Sequence, residues 1–218
     1  MTVIPLPASR AEEITDVLCE AFYDYPVMRF VLGDPPDYAE RLRIMVGLFV
    51  ASRVAREDLM LGVSDASGTL VGAALVNLPA PRTAAAWLEE RREAVWRALG
   101  QAERTRYEAF GAATGQFERD DSHHHLGMIG VRRAHQGRGL SRLLLEEVHT
   151  RACGDAGSSG VSLSTEFPPN VGLYEHFGYR VAGHARVAPT LETWVMFRNR
   201  GVETGGVRAR GPGASPNG

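Results

Sequence analysis

A short glycine-containing turn in the second half of the chain has the residue types of a phosphate-binding site. Glycines let the backbone approach an anion closely, and the first amides of a helix lack internal partners. The residues of the turn and of the segment after it are Gln136, Gly137, Arg138, Gly139, Leu140, Ser141 and Arg142. We expect the amides to bind phosphate, with the two arginines adding charge-assisted hydrogen bonds.

The segments on either side of this turn must position it. His124–Val131 is mostly apolar and contains the β-branched residues Ile129 and Val131, which predicts a buried strand. After the turn, apolar residues recur at helical spacing as far as Ala152, with arginines and glutamates between them. The sequence therefore predicts a strand, a turn and a helix, which is the geometry that presents helix amides to an anion.

Two common phosphate-binding motifs fit this turn poorly. A dinucleotide fingerprint needs a third glycine where Arg142 stands, and an acidic residue about twenty positions further on at the end of a second strand. Asp155 comes too early for that residue and lies in a glycine-rich turn. A P-loop needs a Gly-Lys pair, and the sequence contains none.

The turn resembles instead the acetyl-CoA site of the GNAT superfamily of N-acyltransferases, whose signature is Q/R-x-x-G-x-G/A. Gln136, Gly139 and Ser141 match it, with serine as the last small residue. The segment from Asn170 to Tyr179 matches the second GNAT signature, N-x-x-x-Y-x-x-x-G-[YF], in the expected order. The pieces AFYDYPVMR, GVRRAHQGRGLS, NVGLYEHFGY and LETWVMFR are also similar to the puromycin N-acetyltransferase group of small-molecule acetyltransferases. This similarity weakens across residues 82–122.

The resemblance implies an α/β fold with a central mixed β-sheet of six to seven strands, flanked by helices and carrying a helical insert before the fourth strand. It implies acetyl-CoA as co-substrate, with pyrophosphate on the turn and pantetheine along the strand at Ile129, Gly130 and Val131. Asn170 is expected to belong to the same site. The implied reaction is direct acetyl transfer to the primary amine of a small molecule, with antibiotic-like amines among the candidates.

Acetyl transfer from a thioester needs a proton donor for the leaving thiolate, and Tyr174 is our candidate. A phenol with a pKa of about 10 can protonate a thiolate with a pKa of about 8.5. For the base we favour Glu166. Asp121, Asp24, the histidines 123–125 and a chain of waters remain alternatives. Relatives often carry Leu-Glu-Thr on the preceding strand, whereas Ser164 replaces that glutamate here.

The acceptor pocket is expected to involve Tyr23, Tyr25 and His124, with the insert at about 83–117 as its wall. The three successive histidines 123–125 do not predict a metal site, because neighbouring residues on a strand point to opposite faces. Two other functions stay open: N-acetylation of a peptide or protein, and a non-catalytic acyl-CoA-binding module.

The composition is that of an ordinary enzyme domain. The 218 residues are 44% hydrophobic with a formal net charge of −2, which gives no case for nucleic-acid binding. Two cysteines and no signal-like or membrane-spanning segment predict a cytoplasmic protein that does not bind membranes. We expect one domain at 1–199, present as a monomer or homodimer. The glycine- and proline-rich tail at 200–218 is expected to be disordered.

Periodicity predicts the remaining elements. Ser9 is expected to cap the first helix with Glu12 completing a capping box, and Asn170 to cap a short helix that ends at Gly178. The other predicted strands are 2–6, 58–65, 69–78, 161–165, 179–187 and 192–197, and the other helices are 38–55, 84–98 and 103–114.

Overall fold

A seven-stranded mixed sheet with helices on both faces forms the described part of the computed structural model, residues 1–80 and 82–202. The strands are β1 (Val3–Pro5), β2 (Leu59–Ser64), β3 (Leu70–Asn77), β4 (His124–Val131), β5 (Gly160–Thr165), β6 (Arg180–Ala188) and β7 (Leu191–Asn199). The α-helices are α1 (Ala11–Phe22), α2 (Pro26–Leu32), α3 (Tyr38–Arg56), α4 (Trp87–Leu99), α5 (Gln101–Gly115), α6 (Leu140–Gly154) and α7 (Pro169–His176). The predicted fold class, including the helical insert before the fourth strand, is confirmed.

The strands lie in the order β1-β2-β3-β4-β5-β7-β6. Every neighbouring pair is antiparallel except β4 and β5, which are parallel and are joined through α6. This crossover places α6 on one face of the sheet, where its apolar side packs on β3, β4 and β5. Helices α1 and α3 cover the opposite face.

The two parallel strands separate after three paired residues. His124–Leu126 pairs with Val161–Leu163, and β4 then continues to Val131 with β3 as its ladder partner. Strand β5 continues to Thr165 beside β7. One edge of β4 is therefore open to a ligand in the middle of the sheet.

A bulge in β4 adjusts the strand at the point where this opening begins. Leu75 pairs with Met128 but Val76 pairs with Leu126, so Gly127 has no partner in β3. The extra residue reverses the alternation of side chains: Leu126 packs on the α6 side and Met128 on the α1 and α3 side.

The insert between β3 and β4 is a helical pair. Leu88, Trp96 and Leu99 of α4 are buried against α3, whereas none of the residues of α5 is fully buried. Gly100 separates the two helices with a φ of 112°, a conformation that favours glycine. Helix α5 also contacts α2, β6 and β7, so it stands over the sheet beside the separated strands.

Three local predictions were wrong. Helix α2 was not predicted; it begins at Pro26, a residue suited to the first helical turn, and ends before Gly33. Ser9 caps nothing, since it lies in a 3-10 turn and α1 begins at Ala11 without a side-chain cap. Asn170 also fails as a cap, because α7 already begins at Pro169.

Residues 200–202, which the prediction placed in the tail, make hydrogen bonds with the domain. The amide of Arg200 donates to the carbonyl of Ser159 over 2.8 Å, and the Arg198 guanidinium donates to the carbonyl of Val202. Residues 203–218 lie outside the described residues. Within residues 1–80 and 82–202, no helix combines the length and apolarity needed to cross a membrane.

Candidate active site

The turn before α6 has the backbone that the sequence analysis expected. Gly137 and Gly139 have φ angles of 73° and 75°, which side-chain-bearing residues rarely adopt. The helix ladder starts with the Leu143 amide donating to the Gly139 carbonyl over 3.1 Å. In the described part of the chain, the amides of residues 137–142 donate to no protein acceptor. This run of free donors at a helix N-terminus fits the pyrophosphate of acetyl-CoA.

The side chains of the turn differ in their availability. Arg138 is exposed and has no carboxylate within 4 Å among the described residues, whereas Arg142 pairs with Glu146 at 2.7 Å. Gln136 donates through Nε2 to the carbonyl oxygen of Val131 over 3.1 Å. Leu140 is buried against the sheet and Ser141 is exposed. Arg138 is therefore the cation of this turn that can reach a phosphate without breaking an ion pair.

The open edge of β4 presents backbone groups to the gap. The Arg132 amide donates to the Val71 carbonyl over 2.8 Å. In an antiparallel pair such backbone bonds alternate along the strand, so Gly130, two residues earlier, also directs its amide toward β3. By this alternation, Ile129 and Val131 direct their amides away from β3 and into the opening. The backbone amide of Gly130 faces β3. A Cβ at Gly130 would lie 2.6 Å from the Cβ of Ala21 on α1. The structure thus gives Gly130 a packing role under α1.

Glu166 follows β5 directly and is buried, with 6% of its surface exposed. Thr193 on β7 donates to Oε1 of Glu166 over 2.8 Å, and the Glu166 amide donates to the Tyr25 hydroxyl over 3.3 Å. Burial raises the pKa of Glu166 to about 7, against hydrogen bonds from Thr193, Ser164 and Tyr25 that favour the carboxylate. This carboxyl group can accept and release protons near neutral pH.

Tyr25 and Asn170 join the same cluster through Thr165. The Tyr25 hydroxyl lies 3.0 Å from Oγ1 of Thr165, and Asn170 Nδ2 donates to that oxygen over 3.3 Å. Burial raises the pKa of Tyr25 well above its ordinary value. These contacts tie the start of α2 and the start of α7 to the end of β5, and they hold Glu166 in place. Asn170, expected at the cofactor, is here a bridge between two elements.

Tyr174 lies on α7 with its ring 5.6 Å from that of Tyr179. The helix ends in a Schellman motif: the Tyr179 amide donates to the Tyr174 carbonyl over 3.1 Å, and the Gly178 amide donates to that of Glu175 over 2.9 Å. Burial, with a smaller contribution from Glu166, raises the pKa of Tyr174 to about 12. The hydroxyl bonds to no protein group in the described residues, and the charge of Glu166 acts on it.

A cavity of about 690 Å³ lies between α5 and the first halves of β4 and β5. Phe110 and Phe117 of the insert form one wall, and Ser162 and Ser164 of β5 form part of another. His125 also lines the cavity and hydrogen-bonds through Nδ1 to Oγ of Ser162 over 2.9 Å. Ser164 also hydrogen-bonds to the Glu166 side chain, so it connects the cavity wall to the buried carboxyl group, which does not itself line the cavity.

The predicted acceptor residues are only partly brought together. Tyr25 lies in the Glu166 cluster, while Tyr23 is 37% exposed and packs edge-on against Tyr38. His124 faces the other side of the sheet, where Nδ1 hydrogen-bonds to Ser158 over 2.9 Å, and it does not line the cavity. Sequence reasoning chose His124 of the three histidines for the pocket, whereas His123 and His125, one strand position to either side, line the cavity.

The two aspartates among the alternative bases are both held in ion pairs with arginines. Asp24 pairs with Arg29 and Arg133 at 2.8 and 2.6 Å, and hydrogen bonds from both hold the pKa of that carboxyl below its usual value. Asp121 pairs with Arg119 at 2.7 Å, which likewise lowers its pKa. The described residues contain no cluster of three histidine, cysteine or acidic side chains that could hold a metal.

Part of the chain matches a known family model. Residues 91–181 match the family model described as "Acetyltransferase (GNAT) domain", which covers the phosphate turn, α6, β5 and α7. No curated protein sequence matches the chain.

Solved structures share the fold over nearly the whole chain. One is the Corynebacterium glutamicum protein titled histone acetyltransferase HPA2 and related acetyltransferase, at 22% identity and a TM-score of 0.69, covering 93% of this chain and 98% of that one. The C-terminal condensation domain of Ebony, in complex with beta-alanyl-dopamine, has 15% identity and a TM-score of 0.62, with coverages of 90% and 97%. The ribosomal-protein-S18-alanine N-acetyltransferase from Escherichia coli has 15% identity and a TM-score of 0.51, with coverages of 91% and 92%.

Proposed function

We propose, from the premise that this chain carries a GNAT acetyltransferase domain and uses acetyl-CoA, that it acetylates the primary amine of a small molecule by direct transfer. The observation that carries the proposal is a buried carboxyl group with a pKa of about 7, placed after β5 where the sheet opens beside β4. A carboxylate in that position can take a proton from an ammonium group at neutral pH.

Binding of the donor falls to the turn and to β4. Amides of residues 137–142 and the Arg138 guanidinium hold pyrophosphate, while Ile129 and Val131 pair with the pantetheine arm. When bound, acetyl-CoA supplies an acetyl group activated as a thioester. An amide of β4 in the opening polarises the thioester carbonyl, which stabilises the negative charge that develops on its oxygen.

The proton transfers belong to Glu166 and Tyr174. The Glu166 carboxylate accepts one proton from the acceptor's ammonium group, and the freed nitrogen forms a bond to the acetyl carbon. As the carbon–sulfur bond breaks, the Tyr174 hydroxyl gives its proton to the leaving sulfur. The acetylated nitrogen then gives its remaining excess proton to the Tyr174 oxygen, which restores the hydroxyl, and Glu166 releases its proton to solvent. One group is a base with a pKa near 7 and the other an acid that stays protonated, which is the division of roles that the reaction needs.

The cavity under α5 supports a small acceptor. Its volume of about 690 Å³ is in the range typical of small-molecule sites, and its aromatic wall comes from the insert. We assign His125 and Ser162 to the acceptor contacts in place of His124. A peptide acceptor would need an extended groove, whereas α5 stands over the sheet at this point.

Release of free CoA over a panel of amines tests the proposal. The panel contains puromycin and other aminoacyl compounds, simple aromatic amines, and short peptides with a free N-terminus. We expect turnover with small amines, strong loss in Glu166→Gln, and little change in Glu175→Gln on the exposed side of α7. Turnover of peptides alone would favour a protein acetyltransferase. Acetyl-CoA binding without turnover of any amine would favour a non-catalytic acyl-CoA-binding module.

A further inference from the structure

A second cavity, of about 450 Å³, lies between α3, α4 and α5. It is separate from the acceptor cavity, with which it shares no lining residue. Four arginines line it, together with a single carboxylate. The charged lining residues are Arg53, Arg56, Arg92, Arg104 and Glu108. The cavity is therefore strongly cationic in a chain whose formal net charge is −2.

Two of these arginines have their own acidic partners. Arg104 bonds to Glu108 at 2.9 Å and to Glu93 at 3.3 Å, and Arg92 lies 3.3 Å from Glu89. Arg53 and Arg56 differ from them, because neither has a carboxylate within 4 Å in the part of the chain that the structure describes. The excess positive charge is thus concentrated at one end of the cavity, on the last turns of α3.

Arg53 is the more unusual of the two. Its Nε is buried without a hydrogen-bond partner among the described residues, and its one protein bond is a 3.5 Å contact from Nη1 to the Phe49 carbonyl. Burial lowers the pKa of Arg53 to about 10, although the charges of Asp58 and Tyr107 act in the opposite direction. Asp58, however, lies beyond ion-pair distance and accepts the Leu78 amide. A buried cation without a hydrogen-bonded counterion lowers the stability of the fold, and a bound anion would remove that penalty.

Aromatic side chains form the rest of the cavity wall. The ring of Tyr107 lies 5.2 Å from that of Trp96 and 6.0 Å from that of Phe49. Burial raises the pKa of the Tyr107 hydroxyl, and the positive charge of Arg53 opposes that rise. Apolar walls with a few convergent polar groups are the usual make-up of a small-molecule site.

We infer that this cavity binds an organic carboxylate with an aromatic body: Arg53 and Arg56 hold the anion, and Trp96, Tyr107 and Phe49 hold the ring. A planar guanidinium matches a carboxylate through two parallel hydrogen bonds, which explains why Arg53 keeps donors unused. The inference does not rest on the proposed acetyl transfer, because it concerns binding alone. Arg53 also touches β4 at Gly127, the bulged residue beside the open edge.

Calorimetry with phenylacetate and with its neutral isostere phenylacetamide tests the site. We expect phenylacetate to bind with a Kd of about 1 mM, the range for a ligand of this size, and the amide to bind at least tenfold more weakly. Arg53→Met should lose phenylacetate binding at least tenfold, and Arg56→Gln several-fold. Arg97→Met, on the exposed side of α4, is the matched control and should bind like the wild type.

Melting temperature gives an independent readout that a merely structural arginine would not produce. Phenylacetate should raise the melting temperature of the wild type but not that of Arg53→Met. Without ligand, Arg53→Met should melt at or above the wild-type temperature, because it removes an unpaired buried cation. If Arg53→Met does not fold, Arg56→Gln at the cavity rim and the comparison of acid with amide still decide the matter. Equal binding of acid and amide, unchanged binding in Arg56→Gln, or no binding at about 10 mM would overturn the inference.

Steady-state kinetics then identify the source of the anion. Competition between phenylacetate and the acceptor amine would make the cavity a subsite for the acceptor's own carboxylate. Inhibition or activation without competition would make the anion a separate ligand. Either kinetic result is consistent with the binding site. Failure of the proposed acetyl transfer would leave the inference testable, because calorimetry measures binding without turnover.

Discussion

Glu166 shows how one buried residue acquires a role that its type alone does not define. It follows β5 and carries a pKa of about 7 because burial outweighs the hydrogen bonds that favour its charge. Asp24 and Asp121, which carry the same functional group, lie at the surface in arginine pairs that lower their pKa values. Among these three carboxyl groups, Glu166 is therefore the one whose pKa suits the proposed proton transfer at neutral pH.

Replacing Glu166 by glutamine should change the pH dependence of acetyl transfer. In the wild type, kcat should rise with pH up to about 7 as the carboxyl group loses its proton. In Glu166→Gln, kcat should no longer rise over this pH range. Its turnover should be roughly ten- to a thousand-fold lower, which is the range of general acid–base contributions. A variant with the wild-type pH profile, measured by single-turnover kinetics, would remove Glu166 from the mechanism.

The same substitution should also change stability in a pH-dependent way. Because the folded-state pKa of Glu166 lies above its unfolded value of about 4.5, the protonated form stabilises the fold, and this contribution is lost as pH rises through 7. Glu166→Gln should therefore gain stability over the wild type between pH 4.5 and 7, by up to about 3 kcal/mol. Urea denaturation at pH 4.5 and 8 measures it, with exposed Glu175→Gln as control. A pH-independent difference contradicts the expectation.

Tyr174→Phe separates the proton donor from a packing residue. The ring still contacts Tyr179 and acetyl-CoA affinity should survive, while turnover falls by roughly ten- to a thousand-fold. Since the pKa of Tyr174 is about 12, no alkaline limb from this group should appear below pH 10 in the wild type. If turnover is unchanged while the chemical step is rate-limiting, Tyr174 only packs against its neighbours. If acetyl-CoA binding weakens and turnover does not change, Tyr174 is a cofactor contact.

At the scale of elements, the separation of β4 from β5 creates the opening in the sheet where the candidate site lies. Three paired residues hold the strands together, and their divergence frees the β4 edge while α6 brings the phosphate turn to one end. The end of β5 brings Glu166 to the other side of the same opening. The two strands thus carry the proposed donor-binding groups and the proposed base on the two sides of one opening.

Gly139→Glu should abolish acetyl-CoA binding through the backbone of this turn. The glycine has a φ of 75°, and the added carboxylate would repel pyrophosphate. No atom lies within 4 Å of a Cβ built there, so the fold should persist with a cost of about 1 kcal/mol. Gly68→Glu is the matched control, because Gly68 has a φ of 87° and equally open space in the β2–β3 turn. Calorimetry showing native affinity in Gly139→Glu would contradict the phosphate-turn assignment.

At the scale of the whole molecule, the described chain ends against its own sheet. Val202 lies close to Gly178 at the end of α7, and Arg200 bonds to the residue before β5. These contacts brace β5 and α7, the elements that position Glu166 and Tyr174. The domain that supports the site therefore includes three residues more than the sequence indicated.

Two truncations test this boundary. Removal of residues 203–218 should leave melting temperature and acetyl-CoA affinity unchanged, because the segment offers little apolar surface to bury. Removal of 200–218 should lower the melting temperature by several degrees, since it also takes away the bonds of Arg200 and Val202. Equal melting temperatures for both truncations would show that these contacts are dispensable.

The sequence by itself determined the elements that depend on neighbouring residues. Strand β4 was predicted from its apolar and β-branched residues, its turn from the glycines, and α6 from helical periodicity. These signals depend on side chains that are close along the chain. The hairpins and the insert followed from the same signals. Helix α2 was missed because it has only seven residues and because Tyr23, Asp24 and Tyr25, which lead into it, do not indicate a helix.

Only the tertiary structure decided the environments that give single groups their chemistry. Glu166 becomes the proposed base because Tyr25, just before α2, and Thr193 on β7 bond to it in a buried place, and both residues are far away along the chain. Which histidine faces the acceptor cavity depends on which helices cover each side of the sheet. Arg53 lies in a cationic cavity because α4 and α5 fold over α3. Burial and charge compensation arise from contacts between distant residues, and a local pattern carries no information about them.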